Sequence, residues 1–329
     1  MRRREFIAIA SGAAAWPLVA HAQKRQSTPR IGYLSDETEG PHPFNSHGSV
    51  LRALHSLGYE EGRNLTIEYR YAAGHVERLP AFAAELAALP VDVIFSIGTV
   101  ASKAAVAATT TIPIVFSRIG DPVRYGLVAS LARPGGNATG AALLTTDLAE
   151  KRLQLFKEMI PGVSRVAVLH EQNFAPCDIE LKQLVAVAPR LDLQIQATGV
   201  APPQASALET ALPDIMKESP QALFVGSSGW FEDVYQFTLG VASKSHLPAM
   251  YVRAEYVEAG GLISYGVNYP DMYRSAVEYV VKILNGAKPP DLPVWQPVNV
   301  ELVINRSSAK ALDLTIPPSL VGFAERTVN

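Results

Sequence analysis

The sequence predicts an α/β protein built as two doubly wound, Rossmann-like lobes with parallel sheets. Three observations carry this. Short, nearly continuous apolar runs alternate with amphipathic helical stripes along the chain, the mark of a parallel sheet covered on both faces. The alternation breaks near residue 140 and starts again, so the β/α unit occurs twice, each time with about four strands. The 329 residues, 48% apolar and 18% charged, suffice for two cores of ordinary size.

The elements follow in order. Strands are expected over 30–34 (RIGYL), 65–69 (LTIEY), 91–95 (VDVIF) and 112–116 (IPIVF). Between them, Val50, Leu51, Leu54 and Leu57 stripe one helix, and Leu79, Phe82, Ala83, Leu86 and Leu89 stripe a second at the i, i+3, i+4, i+7 spacing of one buried face. A short helix spans 101–108. The second set opens with the stripe Leu148, Leu155, Phe156, Met159 and continues with strands at 166–169, 193–197, 222–225 and 248–252, separated by further amphipathic helices. A lone strand at 260–265, a helix carrying Met272, Tyr273, Ala276, Val277, Val280 and Leu284, a proline-stiffened linker at 289–293, a strand at 298–304 and a short helix at 307–312 complete the chain. The first passage between lobes is expected at 121–140, where Gly135, Gly136 and Asn137 permit the positive φ of a tight reversal.

The N-terminus reads as an export segment. Arg2, Arg3 and Arg4 precede an apolar run from Phe6 to Ala20, and Ala20, His21 and Ala22 supply a small-x-small cleavage pattern after Ala22. Arg3 and Arg4 followed by Glu5 and Phe6 match the twin-arginine pattern, with an ordinary secretory signal as the alternative. The expected compartment is the periplasm.

Composition excludes several classes of function. A net charge of −2 argues against a nucleic-acid partner. The single cysteine, Cys177, forbids an intrachain disulfide and reads as a small buried hydrophobe. No G-x-S-x-G elbow, P-loop, G-x-G-x-x-G or H-E-x-x-H occurs. His42 and His47 are weak as a metal pair, so no metal, cofactor or catalytic residue is assigned.

In an open parallel sheet, ligands bind outside the carboxyl ends of the strands. The residues at those ends are Ser35, Gly98, Thr99, Ser117, Arg118 and Asp121 in the first set, and Asn173, Ser227, Ser228, Trp230, Phe231, Arg253 and Glu255 in the second. Gly98, Thr99, Ser227 and Ser228 precede helices, whose N-termini suit a carboxylate or are simply capped. Trp230 and Phe231 offer a stacking wall or a core pair. Arg118 and Arg253 offer an anion clamp or ion pairs. Glu255 and Asp121 offer acceptors for an ammonium group, Asp121 before Pro122 also being a turn cap. Hydroxyls, glycines and charges on two facing edges make a cleft for a small polar or carboxylated ligand.

The chain resembles the substrate-binding proteins of ABC transporters, in the group that includes tryptophan- and tyrosine-binding members. The resemblance covers essentially all of the chain after the export segment. It is carried by Asp121-Pro122-Val123 with 126–131 (GLVASL), by 133–137 (RPGGN) with Thr139 and Gly140, by 260–266 (GGLISYG), and by 301–305 (ELVIN) with 309–312 (AKAL) and 316–320 (IPPSL). It implies a type I periplasmic-binding-protein fold with three interlobe crossings: an N-terminal lobe from 30–140 plus 255–290, and a C-terminal lobe from 141–254 plus 291–329. The strand at 262–265 would then return to the first lobe. It also implies capture by hinge closure, a monomer, and delivery of a small-molecule ligand, an aromatic amino acid among the candidates, to an inner-membrane ABC permease. Where the family pattern has Asn-Pro-Asn and Asp-Pro-Phe-Phe, this chain has His170-Glu171-Gln172-Asn173 and Ser228-Gly229-Trp230-Phe231. A secreted hydrolase using Asp121 or Glu255 as base, and a sensing partner for a membrane receptor, are the alternative readings.

Overall fold

A computed structural model describes residues 28–40, 44–143, 148–298 and 300–329. The export segment expected at 1–22, its cleavage after Ala22, and His42 lie outside the described residues. The first lobe contains β1 (Arg30–Ser35), α1 (Ser46–Ser56), β2 (Thr66–Tyr71), α2 (Leu79–Ala88), β3 (Val93–Ile97), α3 (Thr99–Ala108), β4 (Ile114–Ile119) and β5 (Ala138–Ala142). The chain continues through α4 (Ala149–Met159), β6 (Arg165–Glu171), α5 (Ala175–Val187), β7 (Gln194–Val200), α6 (Ser206–Thr210), α7 (Leu212–Met216), β8 (Ala222–Val225), α8 (Gly229–Asp233), α9 (Tyr235–Ser245), β9 (Ala249–Tyr251), α10 (Ala254–Glu258) and β10 (Ile263–Val267). It ends with α11 (Tyr269–Leu284), β11 (Val300–Asn305), α12 (Arg306–Ala311), α13 (Pro318–Phe323) and β12 (Arg326–Val328).

Two sheets result, in the orders β2-β1-β3-β4-β5 and β12-β11-β10-β9-β8-β6-β7. All pairings are parallel except β10 with β11. The inner strands are continuous apolar runs because helices bury both faces; β3 and β8 have no exposed residue.

Three corrections to the sequence reading concern the passages between lobes. The glycines at 135–136 do not make the first passage. Asn137 ties the chain down by donating its Nδ2 to the Thr109 and Ile112 carbonyls at 3.0 and 2.7 Å, and β5 then joins the first sheet beside β4. The passage falls between β5 and α4. Second, β10 does not return to the first lobe: Ile263 pairs with Met250 of β9 on one side and Ile304 of β11 on the other. Its apolar run is filled by the second core, where Leu262 and Ile263 are buried with Val166 and Phe224. The next passage therefore lies between β10 and α11, whose Met272, Tyr273, Ala276, Val277 and Val280 pack on Tyr33, Val93 and Phe95 of the first sheet. Third, residues 291–295 do not open the second lobe. Trp295 bridges to Ala141 at the edge of the first sheet, and the chain crosses again before β11.

The β4–β5 pair positions the site. Its register shifts between Phe116 and Ile119, and Gly140 lies so close to Phe116 that a Cβ there would run into the Phe116 backbone. At this irregularity Arg118 takes a left-handed φ of 60°, which few non-glycine residues adopt.

Candidate functional site: the interlobe cleft

The carboxyl ends of the two sheets face each other. Ser35 to Glu37 follow β1, Gly98 begins the turn after β3, and Arg118 ends β4. Opposite stand Glu171 at the end of β6, Ser227 and Ser228 after β8, α8, and Arg253 after β9. Buried charges join the two sides. Arg118 Nη2 pairs with Asp36, and its Nη1 lies 3.1 Å from Glu232 Oε2 of the second lobe and 3.8 Å from Glu37. Glu232 Oε2 also accepts from Arg253 Nη1 at 2.7 Å. Arg253 is further held by Glu255 through Nη2 and Nε at 2.6 and 3.2 Å, and by the Phe44 carbonyl at 3.3 Å. Its guanidinium lies 3.7 Å over the Tyr269 ring, a cation–π contact. The lobes are thus closed on an alternating acid–base chain running Asp36, Arg118, Glu232, Arg253, Glu255.

Two adjoining cavities lie in the cleft. One, about 60 Å³, is lined by Gly98, Thr99, Arg118, Ser227, Ser228 and Tyr269, among others. The other, about 280 Å³, is lined by Asp36, Glu171, Asn173, Phe174, Trp230 and Asp233, among others. Asp36, Phe174 and Gly229 border both.

The sequence-predicted residues divide clearly. Gly98, Thr99, Arg118, Asn173, Ser227, Ser228 and Trp230 line the cavities. Gly98, not Thr99, occupies the cap position of α3, with φ 92°. A Cβ there would collide with the Asp36 carboxylate. Ser228 caps α8, accepting from the Phe231 N–H at 3.2 Å and donating to Glu171 at 2.5 Å. Ser227 gives its N–H and hydroxyl to Glu180 at 2.7 and 3.1 Å, and Arg152 holds Glu180 from the other side at 2.5 Å.

The other predicted residues do different work. Asp121 caps a turn, accepting from the Val123 and Arg124 N–H groups at 3.1 and 3.0 Å. Ser35 is buried and accepts from the Glu37 N–H. Ser117 is buried in β4 with its hydroxyl unpartnered. Phe231 sits wholly in the core of the second lobe, its ring 5.4 Å from that of Trp230, which belongs to the same core and also borders the cleft. Arg118 and Arg253 are no anion clamp, since their ion pairs are with the protein's own carboxylates, and Glu255 is engaged by Arg253. Cys177 is buried as expected, donating its thiol to the Ser227 carbonyl.

Asp36, Glu171 and Phe174 lie in loops that the sequence places at strand ends but carry no ligand role in that reading, and Glu232, Asp233 and Tyr269 were passed over. Three of these carboxyls are raised above the ordinary carboxylate range. Burial pushes Asp36 up to about 6, with Glu37 and Glu232 adding to it against the opposing pull of Arg118. Burial pushes Asp233 up to about 8, with Glu37, Asp36 and Glu232 contributing. Burial also raises Glu171, against the Ser228 hydrogen bond. Crowded, desolvated carboxylates resist ionisation.

Comparison with known proteins agrees with this architecture. Residues 37–328 match the family model described as ABC transporter substrate binding protein. The chain belongs to that family, a family of binding proteins rather than enzymes. Among curated proteins it is 26% identical over 282 residues to the tyrosine-binding protein of Clostridioides difficile strain R20291, covering 85% of this chain and 80% of that protein. Among solved structures it is similar to a conserved domain protein from Vibrio cholerae O1 biovar El Tor, with a TM-score of 0.81 and 27% identity over 92% of this chain and all of that one. It is also similar to an ABC domain from Streptococcus pneumoniae in complex with L-Trp, with a TM-score of 0.80 and 24% identity at the same coverage. No helix among the described residues is long and apolar enough to cross a membrane.

Proposed function

We propose that this protein is the periplasmic solute-binding component of an ABC importer. It captures one small polar ligand between its lobes by hinge closure and presents it, as a monomer, to an inner-membrane permease. The observation that carries the reading is the pair of cavities enclosed where the strand tips of both sheets meet, with an aromatic wall of Trp230 and Phe174. Three chain passages between the lobes, between β5 and α4, β10 and α11, and Trp295 and β11, suit a hinge. That relatives carry names or bound ligands of tyrosine and tryptophan supports an aromatic amino acid-like body for the ligand. The twin-arginine-like segment ending at Ala22 supports export. The test is calorimetry and thermal shift on protein unfolded, stripped and refolded, titrated with amino acids and their aromatic amine and acid relatives. Saturable one-to-one binding with compaction in solution scattering is expected. A folded protein that binds none of them contradicts the reading.

A further inference from the structure

The two lobes share more than a chain of charges. Phe44 stands directly ahead of Asn45, the cap of α1, and so belongs by chain to the first lobe. The residues around it are tied to that lobe. Ser46 donates its hydroxyl to Glu37 at 2.6 Å and lies 2.6 Å from the Tyr33 hydroxyl of β1, and Asn45 donates to the Thr38 and Gly40 carbonyls at 3.2 and 2.7 Å.

The Phe44 side chain lies in the core of the second lobe. It is 2% exposed and shares that core with Leu169 of β6, Val225 of β8, Tyr251 of β9 and Tyr256 of α10. Its ring centroid is 4.4 Å from that of Tyr256 and 5.2 Å from that of Tyr235 in α9, the spacing of favourable aromatic pairs. The Arg253 guanidinium lies 5.0 Å from the centre of the same ring and donates to the Phe44 carbonyl at 3.3 Å, so a cation–π contact closes the socket.

This contact differs in kind from the one between Arg118 and Glu232. When ions part, water takes their place. When Phe44 leaves its socket, an aromatic ring passes into water and a hole opens in a close-packed core. Parting the lobes therefore costs free energy at this point whatever the cleft holds. Phe44, Tyr235 and Tyr256 are not among the described residues lining the two cleft cavities, so the cost falls on the closing movement and not on contact with a ligand.

Resting on the hinge-closure reading above, we propose that Phe44 is an interlobe pin. This first-lobe ring, seated among Tyr235, Tyr256 and Arg253 of the second lobe, holds the cleft shut through the protein's own packing. It withdraws before a ligand enters or leaves, which makes it an autoinhibitory contact built into the fold.

The test needs no ligand. Stripped, refolded wild type is compared by small-angle scattering with Phe44→Ala, Phe44→Leu and Leu223→Ala, and hydrogen exchange is followed over the cleft segment 226–231. Phe44→Ala should have a larger radius of gyration than wild type and faster exchange in that segment. Phe44→Leu, which keeps apolar volume without the ring, should shift the same way by less, and carries the test if the alanine variant does not fold. Leu223→Ala weakens the same core from within the second lobe, so it should lower the melting temperature and leave the radius unchanged. Phe44 variants as compact as wild type, or an equal enlargement in Leu223→Ala, overturn this inference and leave the capture reading standing. If Phe44→Ala combined with Glu232→Gln is also as compact as wild type, the lobes do not part and the hinge-closure reading falls with it.

Discussion

Arg118 Nη1 of the first lobe and Glu232 Oε2 of the second lie 3.1 Å apart, and that same Glu232 oxygen is 2.7 Å from Arg253. One carboxylate oxygen thus fastens the strand tip of β4 to α8 across the cleft. The contact exists only while the lobes are shut. Removing one member of a buried ionic set leaves the others buried and unmatched, a cost of about 3–5 kcal/mol when nothing relaxes. Opening relieves part of it, because the arginines then meet water.

Glu232→Gln is therefore expected to favour the open form. Ligand affinity should fall by tenfold or more, each tenfold corresponding to about 1.4 kcal/mol. Small-angle scattering of the unliganded variant should show a larger radius of gyration than wild type. An unchanged radius and affinity would mean that the chain of charges is not the latch.

Gly98→Ala places a methyl group where the Asp36 carboxylate sits, on a backbone with φ 92°. The strain is of order 1–3 kcal/mol. Displacement of Asp36, which lines the cleft, should weaken ligand binding as well as lower the midpoint of urea unfolding. Gly140→Ala, directed at the Phe116 backbone instead, should also lower that midpoint.

Acidity gives a signed prediction. The carboxyls of Asp36 and Asp233 are raised from 3.8 to about 6 and about 8, so the closed, unliganded form favours their protonated state. Their stabilising contribution is complete below about pH 4 and is lost as pH rises through 6 and then 8. The melting temperature of stripped wild type, relative to Asp233→Asn, should fall across that window. A flat difference in melting temperature between pH 4 and 9 would contradict the assignment.

The buried pair of Arg152 and Glu180 carries the Ser227 loop, since Glu180 accepts both the Ser227 N–H and its hydroxyl. Arg152 also donates Nε to the Tyr265 carbonyl in β10 at 2.9 Å. Glu180→Gln should cost about 3–5 kcal/mol in chemical denaturation. Arg152→Met with Glu180→Gln, which removes both charges, should recover part of that loss. A double variant less stable than the sum of its single changes would overturn this account of the pair.

Strand existence was legible because each inner strand is a short apolar run bounded by turn residues, as β1, β3 and β8 show. Strand partnership was not. β10 has the same composition wherever it pairs, and contacts with β9 and β11 place it in the second sheet. β5, with the sequence ATGAA, has little intrinsic strand preference and is held by its neighbours. At the site, position along the strands located the cleft, but side-chain partners decided the chemistry. Arg118 reads as an anion binder until Asp36 and Glu232 are seen beside it. Trp230 and Phe231 are equivalent in sequence; both join the second core, and only Trp230 also reaches the cleft. A tally of acids at the strand tips, Asp36, Glu171, Glu232 and Asp233, would have revealed how many carboxyls crowd the cleft.

The central claim, capture of a small molecule between closed lobes, is tested most directly by native mass spectrometry of the folded protein before and after incubation with periplasmic extract. The account predicts a single adduct of one-to-one stoichiometry, released on denaturation and reduced in Glu232→Gln. A folded protein that carries no adduct under either condition contradicts it.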